Sequence, residues 1–369
     1  FPVKFHLSIN DVDINFERNI VYKFNDPVDG EVYQPFTILP EATCSIKEKV
    51  IIFSDQKSKI VPVHILAGKD NIEGFITLNS PEGWVIKPQS HPFSVEKKGD
   101  QSIVYFEVSP PKEISEGQLN PIIQIGEKTY DKELHILDYK YIPLQQVLMK
   151  SESKVVHLIL QKKGENIGYI EGAGDAVPES LEQIGYQVTR IKPAEITYDK
   201  LVKFDAIVMG IRAYNTVPEL EFKQVELNRY IENGGNLILQ YNTSHRLITK
   251  DIAPFQIELS RDRVTDEFSE VSFLAPQHPI LNYPNKISVN DFENWVQERG
   301  LYFPNKWAKE FTPLLGMNDK NNKLTKGALL VAPYGKGYYI YTGISFFREL
   351  PAGVPGAYRL FANMLSIGK

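Results

Sequence analysis

The sequence contains a single cysteine, Cys44, among 369 residues. One thiol excludes an internal disulfide and any cysteine-rich zinc site. No apolar run approaches the roughly 20 residues that a membrane-spanning helix needs. There is no basic run, and a net charge of -5 argues against an electrostatic grip on nucleic acid. The seven histidines are scattered, with no His-x-x-x-His pair to seat a metal on a helix. His91 and His278 each precede proline and read as loop residues. An initiator Met and a signal-peptide pattern are also missing. The opening run Phe1-Pro-Val-Lys-Phe-His-Leu-Ser-Ile9 already reads as a strand, so the expectation is a fragment of something longer.

What is present is ordinary core-forming material, 42% hydrophobic and 24% charged, in two textures. Up to about Tyr141, apolar and polar residues alternate in Lys4–Ile9, Lys59–Leu66 and Ser102–Val108. Turn clusters such as Asn79-Ser-Pro-Glu-Gly83, Lys98-Gly-Asp100 and Ser109-Pro-Pro111 punctuate them. This spacing predicts an antiparallel sandwich over 41–141, preceded by a partial β segment over 1–40. Beyond about Lys154, strands alternate with helices. Asn166–Ile170, Gln187–Ile191, Phe204–Met209 and Asn236–Gln240 read as strands. Pro178–Ile184 and about Glu219–Glu232 read as helices, the second stopping at Asn233-Gly234-Gly235. Gly327–Ala332 and Gly337–Thr342 predict a hairpin, and Ala357–Leu365 a closing helix. Over 142–369 the pattern predicts an open parallel sheet of flavodoxin-like type.

Such sheets bind ligands outside the carboxyl ends of their strands. The turns there carry Glu171 and Asp175 after the first strand, Arg212, Tyr214 and Asn215 after the third, and Gln240 and Asn242 after the fourth. Arg348 follows the last strand, and Trp295 and Arg299 come from a loop that combines aromatic and polar planar groups. These ten residues form the candidate ligand-binding rim. Competing structural roles are plain: Asp175 as a helix cap, Glu171 with Arg212 as an ion pair, Asn215 and Asn242 as turn residues.

No catalytic residue emerges. Gly172-Ala-Gly174 begins a phosphate loop, but Val177 stands where a third glycine belongs, and Glu171 and Asp175 would repel a phosphate. A hydrolase nucleophile needs a sharp strand-to-helix turn, whereas the turn after Leu239 reads Gln240-Tyr241-Asn242. Thr243 and Ser244 beside His245 lack the flanking glycines. Cys44 reads as a small buried apolar residue. The charge-dense run Ser260-Arg-Asp-Arg-Val-Thr-Asp-Glu267 reads as a solvated loop with internal salt bridges, a bound cation being the alternative.

Several longer stretches resemble a known family. Glu171-Gly-Ala-Gly-Asp-Ala-Val-Pro178, Ile211-Arg-Ala-Tyr-Asn-Thr216, Leu259-Ser-Arg-Asp-Arg-Val-Thr-Asp266, Trp295-Val-Gln-Glu-Arg-Gly-Leu-Tyr-Phe-Pro304 and Ser345-Phe-Phe-Arg-Glu-Leu-Pro-Ala-Gly-Val-Pro-Gly-Ala-Tyr-Arg359 resemble the C-terminal region of PIG-L (LmbE-like) deacetylases of Bacteroidetes. Ser80-Pro-Glu-Gly-Trp84 and the strands after it resemble the Ig-like domain associated with α-galactosidases. The later part resembles a class I glutamine-amidotransferase-like domain. In that family a His-Pro-Asp-Asp motif holds a divalent metal, usually zinc, for deacetylation of N-acetylglucosaminyl substrates. Here His91-Pro92 continues Phe-Ser and His278-Pro279 continues Ile-Leu, so no deacetylase residue carries over. The amidotransferase cysteine position holds Tyr241.

The resemblance therefore implies a non-catalytic, glycan-binding accessory region without a cofactor. Zinc would belong only to an N-terminal deacetylase domain of the same polypeptide, which would be its partner. A periplasmic or secreted location is implied, with no nucleic acid and no membrane span. Two alternatives stand beside it: a hydrolase using Glu171 or Asp175 as acid/base, and a structural scaffold or oligomer interface.

Overall fold

The computed structural model describes all 369 residues. Strands outnumber helices, and the chain forms two compact units. One comprises residues 1–49, 57–111 and 116–154; the other comprises 50–56, 112–115 and 155–369. The sequence reading sets the domain boundary at 141/142 and the alternation of strands with helices beyond about Lys154; the first unit runs to 154. The reason is the strand Gln145–Lys150, which pairs antiparallel with Lys132–Leu137. The segment 1–40 belongs to this same unit.

In the first unit, one sheet has the strand order Ala42–Ser45, Lys59–Ala67, Gln101–Ser109, Val85–Lys87. A second contains Ser90–Val95, Ile72–Asn79 and Ser115–Ile125 in antiparallel sequence. Alternation decides which side chains turn inward. Val61, Val63, Ile65 and Ala67 are buried along one strand, and Val104, Phe106 and Val108 along its neighbour. Cys44 is buried with them, its thiol donating to the Pro121 carbonyl at 3.5 Å. Burial pushes its pKa up to about 12, which leaves it a packing residue.

The amino-terminal strands are different. Pro2–Ile9 and Val12–Asn19 form a two-stranded hairpin. Its turn is Asn10-Asp11, with φ of 50° and 61°, the left-handed pair a tight hairpin needs. The register sets Phe5 opposite Phe16, Leu7 opposite Ile14 and Ile9 opposite Val12. Phe5 and Phe16 stack at 4.9 Å yet remain 42% and 41% exposed.

The second unit is built on a seven-stranded sheet. Gln187–Arg190, Asn166–Ile170, Ala206–Met209, Asn236–Gln240 and Gly337–Thr342 lie side by side and parallel. Leu329–Tyr334 then turns back antiparallel and carries Thr312–Pro313 at the edge. Both faces are covered, so the central strands read as unbroken apolar runs. Val208 and Ile238 pack on one side with Val177, Leu181 and Phe361. Ile207, Met209, Leu237 and Leu239 pack on the other with Leu227, Tyr230 and Ile231. The flanking helices are Val177–Gln183, Gln224–Glu232 and Pro355–Ser366. The helix expected from about Glu219 is split: Pro218–Phe222 is a 3-10 turn, and the α-helix starts afresh at Gln224. It ends at Glu232, with Asn233 as its cap and Gly234 beyond, whose φ of 109° only glycine adopts without strain.

The contrast between packed and exposed aromatics gives a first prediction. Phe106→Ala should cost roughly 3–5 kcal/mol, whereas Phe5→Ala should cost under about 1 kcal/mol. Urea unfolding of both variants measures the difference.

Candidate functional site

At the carboxyl ends of the parallel strands, the turns are stitched to one another by side chains. Asp175 Oδ1 accepts from the Tyr169 hydroxyl at 2.5 Å and the Val177 amide at 3.0 Å. Its Oδ2 accepts from the Ile211 amide at 3.1 Å. One carboxylate thus joins the first strand, the first helix and the turn after the third strand. Gly172 makes this approach possible, since a Cβ there would sit 2.1 Å from the Ile211 carbonyl oxygen. Burial and the Asp175 charge both push the Tyr169 pKa far upward, which fixes that hydroxyl as a donor.

The next crossing repeats the device. Asn242 is fully buried; its Oδ1 accepts from the Tyr214 amide at 2.8 Å and its Nδ2 donates to the Gln240 carbonyl at 3.0 Å. Asn215 accepts from the Thr243 amide at 2.8 Å and donates to the carbonyls of Thr243, His245 and Arg246. Tyr214 is buried, its hydroxyl donating to Gln224, and Gln240 is buried with Nε2 donating to the Tyr169 hydroxyl at 3.2 Å. Tyr214, Gln240 and Asn242 therefore offer no surface to a ligand, and Asp175 and Asn215 are engaged in holding loops. Glu171 is exposed and pairs with Arg190 at 3.1 Å, not with Arg212.

Trp295 and Arg299 also lie inside. Trp295 is 3% exposed and stacks on Phe292, its Nε1 donating to the Asp291 carbonyl. Arg299 is 4% exposed and donates to the carbonyls of Ser269 and Phe292. Burial lowers its pKa to about 10. Both anchor the 291–299 loop from within, so neither closes the side of a rim.

Besides Glu171, two of the ten expected residues keep charge at the surface, and both are cations. Arg212 is exposed, and its guanidinium has no hydrogen bond or ion pair. Its φ of 57° places it in the left-handed region, an unusual conformation for a residue with a side chain. Arg348 Nε meets Glu298 at 3.2 Å, and its guanidinium donates to Gln297 and lies 4.9 Å from the Phe347 ring centre.

Between these cations lies an aromatic group that sequence reasoning missed. Tyr241 stacks on Tyr302 at 6.0 Å with an 8° interplanar angle, and meets the Phe347 ring at 5.2 Å with a tilt of 44°. His245 lies 6.4 Å from Tyr302. Neither tyrosine hydroxyl bonds within the protein; Tyr241 is buried, while Tyr302 and Phe347 are half-buried and form the accessible part of the group. Burial raises the Tyr241 pKa while the charges of Arg212 and Arg348 pull it back, so both guanidinium groups act on this phenol. Gln297 and Tyr302 share the positive φ of Arg212, at 67° and 53°. Left-handed residues clustered at one surface are typical of ligand sites, where surrounding structure holds them. The signal available in the sequence was the Tyr241 and Tyr302 pair itself, hidden because the two lie 61 positions apart.

This surface has two cations, one buried carboxylate and stacked rings. It can hold a polar molecule by its faces and edges. The Thr243 hydroxyl donates to the His245 carbonyl at 2.8 Å. No group of three or more His, Cys, Asp or Glu side chains gathers as metal ligands.

Behind the loop, Glu349 is fully buried. Its Oε2 accepts from the Val296 amide at 3.0 Å, and its Oε1 has no partner. Burial raises its pKa to about 8, against the pull of that amide and of Arg299 and Arg348.

No family model and no curated protein matches the chain. Solved structures match at low similarity. An exo-β-1,4-mannosidase from Opitutaceae bacterium strain TAV5 is 11% identical over 55% of this chain, with a TM-score of 0.33. A family 123 glycoside hydrolase from Clostridium perfringens is 8% identical over 56%, with a TM-score of 0.21. E. coli alpha-2-macroglobulin is 9% identical over 44%, with a TM-score of 0.23. The matches span 35%, 38% and 9% of those proteins. Overlaps this partial carry no argument about function.

The half-buried Asp175 and the buried Glu349 each generate a prediction. Asp175→Ala strands three donors and should cost roughly 2–4 kcal/mol, read by urea unfolding. Glu349 keeps its proton in the folded state up to about pH 8, while the unfolded chain releases it near pH 4.5. Its contribution is therefore complete below about pH 4.5 and is lost as pH rises through 8. Glu349→Gln should remove that slope, so wild type loses on the order of 3 kcal/mol relative to the variant between pH 5 and 8.

Proposed function

We propose that the second unit is a non-catalytic binding module for N-acetylated saccharides. In this reading the chain is the accessory region of a PIG-L-type deacetylase, its partner being a deacetylase domain of the same polypeptide in the periplasm or outside the cell. The first unit takes the Ig-like role and the second the amidotransferase-like, flavodoxin-like role. The observation that carries the reading is the Tyr241–Tyr302 stack flanked by Arg212 and Arg348. It lies where open parallel sheets receive ligands, at the strands' carboxyl ends. Aromatic faces suit the apolar faces of sugar rings, and guanidinium groups donate to hydroxyl and amide oxygens. The sequence resemblance supplies the substrate class.

A tyrosine where the amidotransferase nucleophile would stand supports binding over catalysis. The hydrolytic alternative has less support. Glu171 is paired with Arg190, and both oxygens of Asp175 already accept structural hydrogen bonds. Neither has the freedom an acid/base pair needs.

A thermal-shift titration with the N-acetylglucosamine tetramer tests the reading. A ligand at a hundred times its Kd stabilises the native state by about 2.7 kcal/mol, an easily read rise in melting temperature. Arg212→Ala and Tyr241→Ala should each keep a folded protein and lose most of that rise. A flat response, or an equal rise in both variants, contradicts the proposal.

A further inference from the structure

The charge-dense run Ser260–Glu267 lies outside the surface just described. It completes the strand Ile257–Val264, which pairs antiparallel with Gly300–Trp307 through three register shifts. Bulges of this kind re-aim side chains that regular alternation would turn inward. As a result Arg261, Asp262 and Arg263 are exposed in succession. With the 318–326 loop they wall a groove of about 630 Å³, a size suited to a small ligand (roughly 300–1,000 Å³).

The charges in this groove are not balanced internally. Its cations are Arg261, Arg263, Lys323 and Lys326. Arg263 is held by Glu298 at 2.7 Å, but Arg261, Lys323 and Lys326 enter no ion pair or hydrogen bond through their side chains. Of its two carboxylates, Asp319 is engaged by the amides of Thr265 and Asp266 at 2.8 and 2.9 Å and by the Thr265 hydroxyl at 2.9 Å. Only Asp262 is free. A chain of net charge -5 thus gathers three unpaired cations in one depression. Trp307, half-buried, and the amides of Asn305 and Asn322 complete the lining.

We infer that this groove binds a uronic-acid-containing saccharide. The guanidinium fork of Arg261 matches a carboxylate in two-point geometry, while Lys323 and Lys326 act as point charges. The Trp307 ring offers a face to a sugar ring, and the asparagine amides donate to and accept from hydroxyls. A single-stranded nucleic acid would need successive aromatic platforms along a basic track, and here one tryptophan stands in a short groove. The site is separate from the Tyr241 surface and does not rest on its assignment. The two share the strand Gly300–Trp307, which carries Tyr302 and Trp307, and Glu298, which takes Arg263 from this side and Arg348 from the other.

Isothermal titration of the full chain with tetragalacturonate in low-salt buffer tests the inference. Binding should weaken as salt is raised. The combined variant R261A/K323A/K326A should bind at least about tenfold more weakly, and Trp307→Ala should also weaken binding. A control removing the same charge elsewhere, K203A/K286A/K309A, should bind as wild type. Melting temperatures establish that each variant is folded. Failure of wild type to bind tetragalacturonate overturns the inference, as does equal weakening by the control. Tighter binding of a dodecathymidine strand than of the saccharide would also overturn it.

Discussion

The Asp175 carboxylate accepts hydrogen bonds from Tyr169, Val177 and Ile211, and the strand-end surface depends on that convergence. Parallel strands end without hairpins, so each turn leaves backbone amides that some side chain must satisfy. Asp175 does this for the first and third strands, and Asn215 and Asn242 do it between the third and fourth. With those loops held, Arg212 and Ile211 take fixed positions, and the left-handed backbone at Arg212 is tolerated because its neighbours determine it.

A second layer of constraint comes from buried charge. Arg299 is satisfied by backbone carbonyls, not by a carboxylate, while Glu349 meets the loop through the Val296 amide. Glu298 accepts from Arg263 and Arg348 at once. Breaking such a group leaves an uncompensated polar atom in a low-dielectric interior, which costs more than the contact itself contributes. The 291–299 loop is thereby tied to Glu349 through the Val296 amide and to Arg348 through Gln297 and Glu298.

The backbone pattern was legible in the residues to different degrees. Ala206–Met209 and residues 237–239 are apolar throughout because both sides of the sheet are covered, and such runs stand out. Pro178 and Asn233-Gly234-Gly235 mark helix ends through their own backbone restrictions. The split at Phe222 was invisible, because helical periodicity does not distinguish a 3-10 turn from the α-helix after it. Among the site residues, the polar side chains at strand ends were readable by position, but their partners were not. Nothing local says that Asn242 reaches the Tyr214 amide or that Arg299 turns inward to Ser269. The stack of Tyr241 on Tyr302 and the groove around Arg261 arise only when distant segments meet.

The central claim is that the strand ends of the second unit hold a saccharide on a tyrosine stack instead of attacking it. A crystal of the chain soaked with the N-acetylglucosamine tetramer addresses this most directly. The account predicts an intact sugar whose ring lies on Tyr302 and Phe347 over Tyr241, with Arg212 donating to its oxygens. A sugar bound elsewhere on the molecule, or a cleaved or deacetylated product on this surface, would contradict it.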